Sequence, residues 1–186
     1  MKSEMRKRMK GLLANQPAEQ RERKSKFIAA SLFKLPEYQK ARAILSYVSM
    51  EEEVSTRVII ANLISIGKTV VVPIVDPKTE TLTFHEIKSA DELVPGYKGI
   101  PEPKNCACVF PCAGIDLAII PGLAFDEKGR RLGRGKGMFD KCLGELACPK
   151  IALAFDFQVV SSVPAASHDL PVDIIITEKR VIRASH

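Results

Sequence analysis

The sequence predicts a three-layer α/β/α fold, with a mostly parallel sheet and helices on both of its faces. Short β-prone runs alternate with segments of helical period from residue 43 onward. Several of those runs, "TVVVPIV" and "DLAII" among them, are largely apolar, as strands buried on both faces are. Residues 43–75 read strand, helix, strand, and a connection of that kind joins parallel neighbours.

The elements follow in order. "KSEMRKRMKGLL" sets Met5, Met9, Leu12 and Leu13 to one side of a helix and Lys and Arg to the other. "PAEQRERKSKFIAASLFKL" opens with Pro17 near a first helical turn and carries an apolar stripe of Phe27, Ile28, Leu32 and Phe33. Pro36 is expected to stop it. The period then changes. "AILSYVS" (43–49) is a short strand. "STRVIIANLISIG" is a helix with Ser55 or Thr56 as its N-cap and Gly67 at its stop. "TVVVPIV" (69–75) is a buried strand, and "TLTFHEI" lies nearer an edge. "VPGYKGIPEPKNCACVFPCAGI" is rich in Pro and Gly and reads as a long ordered loop. "DLAIIPGLAF" is a buried strand, "MFDKCLGEL" a short helix, "KIALAFD" and "VDIIITE" two more strands, and "RVIRA" a terminal one.

The chain has 186 residues, which suits a single domain spanning 1–186 with a substantial core. Hydrophobic residues make up 46% and charged residues 27%, the balance of a globular protein rather than a disordered one. No apolar stretch is long enough to span a bilayer. The basic start "MKSEMRKRMKGLLANQ" lacks the apolar core of a secretory signal, and Glu4 speaks against a mitochondrial presequence. The five cysteines are odd in number and come without an export signal, so reduced thiols in a cytoplasm are expected. "CACVFPC" clusters three of them, whereas a structural zinc wants four ligands in spaced pairs. The thiols are read as bystanders. The net charge of +6 suits either a plain basic surface or an anionic ligand, and the place where the charge collects decides between them.

It collects in "GRRLGRGKGMFDK" (129–141), on a loop between a strand and a helix. In layered α/β proteins ligands sit beyond the carboxyl ends of strands. Gly133, Gly135 and Gly137 alternate with Arg134 and Lys136, which offers bare backbone N–H groups beside two cations. Known phosphate loops fit poorly. A Walker A loop needs Ser or Thr after its Gly-Lys, and here Gly137 follows. A dinucleotide fingerprint needs G-x-G-x-x-G, and here the spacing is G-x-G-x-G. Asp140, three residues past the last glycine, is well placed to hold Mg²⁺ against phosphates.

The stretch "PGLAFDEKGRRLGRGKGMFDK" resembles the signature of the 5-formyltetrahydrofolate cyclo-ligase family, P-G-[VL]-[AG]-F-D-x-x-G-x-R-L-G-x-G-x-G-Y-Y-D. "KSEMR", "YVSMEEEVST", "GYKGIPEP" and "HDLPVDIIITE" resemble further family segments in family order, and together they cover nearly the whole chain. Two segments depart from the pattern: Met138-Phe139 stands for the usual Tyr-Tyr, and Ser55 for an acidic residue before Thr56.

The resemblance implies a reaction in which ATP phosphorylates the formyl oxygen of 5-formyltetrahydrofolate and ring closure gives 5,10-methenyltetrahydrofolate, ADP and phosphate. It implies ATP contacts at Lys2, Ser3, Glu4, Met5 and Arg6, and along Arg131, Leu132, Gly133, Arg134, Gly135, Lys136, Gly137, Met138 and Phe139. Arg134 and Lys136 would be the catalytic cations. Val48 and Glu53 would contact the folate together with Arg134, Gly135, Lys136, Gly137 and Met138. Asp140 and Asp169 would hold Mg²⁺, the one cofactor implied. The expected partners are 5-formyltetrahydrofolate, polyglutamylated forms included, and ATP. No nucleic acid or membrane partner is expected, and the chain is expected to act as a cytoplasmic monomer. The competing reading is a nonenzymatic RNA- or nucleotide-binding protein. It is weakened by the absence of an RNA-binding signature and by an aromatic content of only 6%, which leaves little surface for stacking bases. A sugar-phosphate or CoA enzyme on a similar fold rests on fold analogy alone.

Overall fold

A computed structural model describes residues 1–104, 108–135, 137–164 and 170–185. The amino-terminal third is helical: α1 (Lys2–Ala14), α2 (Ala18–Phe33) and a short α3 (Pro36–Lys40). α2 ends three residues before Pro36, where a proline that cannot continue a helix is expected. Pro36 itself opens α3, where its missing N–H costs nothing. Then come β1 (Ala43–Ser46), α4 (Arg57–Ser65), β2 (Thr69–Asp76) and β3 (Thr81–Ile87). The segment expected to be loop carries a small antiparallel pair, β4 (Leu93–Pro95) and β5 (Pro101–Pro103). Beyond it lie β6 (Leu117–Ile120), β7 (Ala124–Phe125), β8 (Arg131–Leu132), α5 (Met138–Leu143), β9 (Lys150–Leu153), β10 (Ile174–Ile176) and β11 (Val181–Arg183).

Seven of the strands form one sheet in the order β11-β10-β9-β6-β1-β2-β3. The five inner strands run parallel, and β3 and β11 close the edges antiparallel. The alternation of the strands divides the core in two. Ile44, Val70, Val72, Ile119, Ile151 and Ile174 face α1, α2 and α4, meeting Met9, Leu13, Ile28, Leu32, Ile59 and Leu63. Leu45, Val71, Ala118, Ala152 and Ile175 face the other way, toward Leu143 and Leu146 at α5 and toward Phe84, Phe110 and Phe125. Each fully buried aliphatic side chain of this kind contributes about 2 kcal/mol. The buried stripes are narrower than the periodicity suggested. Leu12 is 42% exposed and Phe27 58%, because each lies one residue, and so about a quarter turn, from the i, i+4 pairs Met9/Leu13 and Ile28/Leu32.

One expected strand splits. "DLAIIPGLAF" contains β6, a break at Pro121-Gly122, and then β7, which leaves the main sheet and pairs with β8 as a separate hairpin. Pro121 has no N–H to continue a ladder. At Gly122 a Cβ would lie 2.4 Å from the Phe125 ring, so the turn needs glycine. The Gly-rich stretch thus begins on a hairpin beyond the carboxyl end of β6.

Candidate active site

Asp126 organises the hairpin. Its carboxylate is 1% exposed and accepts from Lys128 N (3.1 Å), Arg130 N (3.2 Å), Arg130 Nε (2.7 Å) and Val163 N (2.8 Å). Gly129, at φ +77°, completes the turn so close to Val172 that a Cβ would lie 2.2 Å from the Val172 carbonyl oxygen. Gln158 is buried too, donating from its amide to Gly122 O (3.0 Å) and Leu123 O (3.1 Å). Nothing in the spacing of the sequence marked Gln158. The Asp-x-x-Gly of "FDEKG" is a turn signal that could have marked Asp126.

From β8 the chain enters the glycine run. Gly135 (φ +118°) and Gly137 (φ +66°) have left-handed backbones, which glycine adopts without strain. Gly133 is small for a different reason: a Cβ there would sit 3.1 Å from Arg131 Nη1. The first turn of α1 reaches this loop. Arg6 Nε donates to Gly133 O at 3.0 Å, across 127 residues of sequence. Met5, on the same turn, packs against the first core cluster, while Ser3 and Glu4 are exposed. The two ends of the expected ATP site therefore meet.

Arg134 leaves the loop toward residues 49–56. It donates from Nη2 to Glu53 Oε1 (2.7 Å) and Glu52 Oε1 (3.0 Å), and from Nε to Glu53 Oε1 (3.2 Å). Glu53 Oε2 accepts from Met50 N at 2.9 Å. Glu52, absent from the sequence reading, is a second partner. Burial pushes the Glu52 carboxyl up, but backbone hydrogen bonding and Arg134 outweigh it and hold the group below its ordinary value. The loop is clamped by a reciprocal pair: Ser49 N donates to Thr56 Oγ1 (3.0 Å) and Thr56 N to Ser49 Oγ (3.1 Å). Thr56 is the N-cap of α4, as expected, yet its hydroxyl serves this clamp rather than the helix. Beneath lies Tyr47, whose hydroxyl donates to Val54 O at 2.8 Å. Burial pushes its phenol well above the ordinary value, and the charge of Glu53 adds to that. Val48 is only 7% exposed, so little of its side chain is open to a ligand.

Glu53 stands between two spaces. An open cleft of ≈ 590 Å³ runs between α2 and residues 49–58, with Arg21, Lys26, Ser49, Met50 and Arg57 on its walls. On the other side a void of ≈ 10 Å³ lies between Leu13, Tyr47, Pro121, Gly122 and Gln158.

Asp140, on the first turn of α5, pairs through Oδ1 with Arg131 Nη2. Its Oδ2 lies 4.0 Å from the point a Cβ on Gly137 would occupy, so it faces the glycine loop. A single partly exposed carboxylate beside a glycine loop is a donor of the kind that fits Mg²⁺, which takes most of its ligands from water and phosphate oxygens. Among the described residues no three His, Cys, Asp or Glu side chains gather into a cage. Lys136 and Asp169 lie outside the described residues. Met138 and Phe139 are half-buried, and Phe139 packs against both core clusters.

Of the described cysteines, Cys142 touches this region, its thiol donating to Met138 O at 3.0 Å. Burial pushes the Cys142 thiol up to about 11 and raises Cys112 and Cys148 as well, so at neutral pH these three stay protonated. Cys106 lies outside the described residues.

Known proteins resemble the chain along its length. The model of the 5-formyltetrahydrofolate cyclo-ligase family matches residues 1–178. The 5-formyltetrahydrofolate cyclo-ligase of Mus musculus is 29% identical, covering 96% of this chain and 92% of its own. That of Escherichia coli K12 is 30% identical, over 88% and 92%. The solved structure of Aquifex aeolicus 5,10-methenyltetrahydrofolate synthetase superposes with a TM-score of 0.88 at 31% identity, covering 100% of this chain and 93% of that one. A Mycoplasma pneumoniae 5,10-methenyltetrahydrofolate synthetase, 23% identical over 95% and 98%, shares the fold with a TM-score of 0.77. With a family model matching 178 of its 186 residues from the first onward, the chain belongs to the 5-formyltetrahydrofolate cyclo-ligase family.

Proposed function

We propose that this site converts 5-formyltetrahydrofolate to 5,10-methenyltetrahydrofolate in an ATP- and Mg²⁺-dependent reaction. The formyl oxygen attacks the γ-phosphorus and ADP leaves with the bridging electron pair. The folate N10 then attacks the activated formyl carbon, N10 gives up its proton, and the C–O bond breaks to release phosphate. The observation that carries this reading is the family match along residues 1–178. The meeting of Arg6, the glycine run, Arg134 and Glu53 in one place supports it.

The chemistry asks the protein for position and charge rather than for a nucleophile. The first turn of α1, residues 2–6, and the run 132–139 that follows the buried Arg131 would hold ATP, with backbone N–H groups at Gly133, Gly135 and Gly137 turned to phosphate oxygens. Arg134 and Lys136 would stabilise the charge that moves during transfer. Glu53 would accept the amino and ring N–H donors of the pterin, beside Val48 and Met138. Asp140 and Asp169 would hold Mg²⁺, which when bound neutralises phosphate charge. Phe139 in place of a tyrosine leaves that position to packing, so the cations carry more of the phosphate contact. No helix among the described residues is long and apolar enough to cross a membrane. We place the protein in the cytoplasm as a monomer, noting that one relative, from Arabidopsis thaliana, is named mitochondrial.

The test is incubation of the purified protein with 5-formyltetrahydrofolate, Mg²⁺ and ATP, following the absorbance of the conjugated methenyl product. Product formed only when all three are present supports the reading. Absence of product from folded protein would overturn it.

A further inference from the structure

Arg131 belongs to the run that the family resemblance assigns to ATP, but its surroundings are those of a buried strut. Its side chain is 4% exposed. Nη2 donates to Asp140 Oδ1 and Nη1 to Pro121 O at 3.2 Å. Nε is buried without a partner among the described residues. The side chain fills the space left by two glycines: a Cβ on Gly122 would lie 3.1 Å from Arg131 Cγ, and one on Gly133 would lie 3.1 Å from Nη1. Both terminal nitrogens are spent inside the protein, on the end of β6 and on α5.

A buried guanidinium persists only when its charge is matched, and here Asp140 matches it. The planar guanidinium fixes two directions at once, one to the Pro121 carbonyl and one to Asp140 Oδ1, so the carboxylate is approached from a set direction. One oxygen is held and the other, Oδ2, faces the glycine loop. The guanidinium also cancels much of the charge of Asp140. A single carboxylate so paired attracts a divalent cation weakly until phosphates add their own charge.

We propose that Arg131 is a positioning residue that acts through Asp140 and does not itself hold the nucleotide. It aims Oδ2 at the cation and makes cation binding depend on bound nucleotide. This rests on the reading of Asp140 as a Mg²⁺ ligand.

The test uses Mn²⁺ in place of Mg²⁺, titrated by electron paramagnetic resonance with and without a non-hydrolysable ATP analogue. A separate calorimetric titration gives the affinity of that analogue in chelator. Wild-type protein should bind Mn²⁺ firmly only with the analogue present. Arg131→Lys keeps the charge and loses the fork. It should weaken Mn²⁺ in the ternary complex about tenfold, the usual effect of losing a partner that orients a metal ligand. Affinity for the analogue in chelator should not change. If Arg131→Lys melts below the assay temperature, Arg131→Gln is measured the same way. A loss of analogue affinity in chelator would make Arg131 a nucleotide contact and overturn the proposal. Unchanged Mn²⁺ affinity in a folded variant would reduce Arg131 to a structural residue and overturn it too. Asp140→Asn, run beside them, separates the two readings. If it leaves Mn²⁺ binding intact, the metal assignment falls together with this proposal. If it abolishes binding while Arg131→Lys does not weaken it, only this proposal falls.

Discussion

Arg134 and Glu53 hold each other across the mouth of the site, with Nη2 2.7 Å and Nε 3.2 Å from Glu53 Oε1. In the proposed reaction they serve different substrates, Arg134 the phosphates and Glu53 the pterin. Neither can serve its substrate fully while it serves the other. Pterin donors that claim Glu53 would loosen its grip on Arg134 and leave the weaker anchor, Glu52 at 3.0 Å. Folate should therefore strengthen nucleotide binding, and by linkage nucleotide should strengthen folate binding equally. A partly exposed pair of this kind is worth on the order of 1 kcal/mol, a roughly fivefold effect. Titrating a non-hydrolysable ATP analogue with and without 5-formyltetrahydrofolate measures it, and Arg134→Ala should erase it. Equal affinities in the wild type would mean the pair couples nothing.

Alanine at Arg134 or at Lys136 should lower turnover about a hundredfold. Losing a preorganised cation costs roughly 3 kcal/mol at the transition state. Stability should move by no more than about 1 kcal/mol at Arg134, whose side chain is 40% exposed and bound to the partly buried Glu52 and Glu53. Arg134→Lys should recover part of the loss, because lysine supplies the charge without the fork. Steady-state kinetics beside thermal melts check this, and wild-type kinetics in both alanine variants would leave the loop a solvated surface feature.

Asp140→Asn should abolish Mg²⁺-supported turnover, but it should not leave the fold untouched. It strands the Arg131 guanidinium without its counter-charge at 4% exposure, a change that costs about 3 kcal/mol. A denaturant melt should show that loss. Replacing Asp140 and Arg131 together with a neutral pair should restore much of the stability and none of the activity. Full stability in Asp140→Asn would contradict the ion pair.

Among the described cysteines, Cys108 is exposed, while burial holds Cys142 at about 11 and raises Cys112 and Cys148. Iodoacetamide near pH 7.5 should modify Cys108 well before Cys142 and Cys148, as peptide mass mapping would reveal. Changing Cys106, Cys108 and Cys112 to Ser should leave catalysis largely intact. Stoichiometric zinc lost with the fold in those variants would sink this reading.

The legible parts of the chain were those governed by local period. The inner strands are apolar runs buried on both faces, and β3 betrayed itself as an edge by its polar residues, whereas β11 was legible only as a terminal strand. The family segments carried Arg134, Glu53 and Asp140 as candidates. What could not be read was pairing between distant residues. No spacing rule joins Arg6 to Gly133, Arg134 to Glu52, or Arg131 to Asp140 with Pro121. The glycines carry a second role that their spacing did not reveal. They were read as bare backbone for phosphate; the structure adds that Gly122 and Gly133 are small beside the Arg131 side chain, and that Gly135 and Gly137 have left-handed backbones. The turn at Pro121 was missed because the apolar run continues through it, although the ladder cannot.

The hairpin that carries the glycine run leans on the far end of the chain. Gly129 presses against Val172, and Val172 N donates back to Gly129 O at 2.9 Å. The same run is held at its other end by Arg6. A chain emerging from the ribosome can build α1 through β6 early, but the seat for the hairpin arrives only with residue 172 and the strands that follow. The glycine run therefore gains this support only after residue 172 has been made. A chain cut before Val172 should keep much of its helical circular dichroism and bind no ATP analogue.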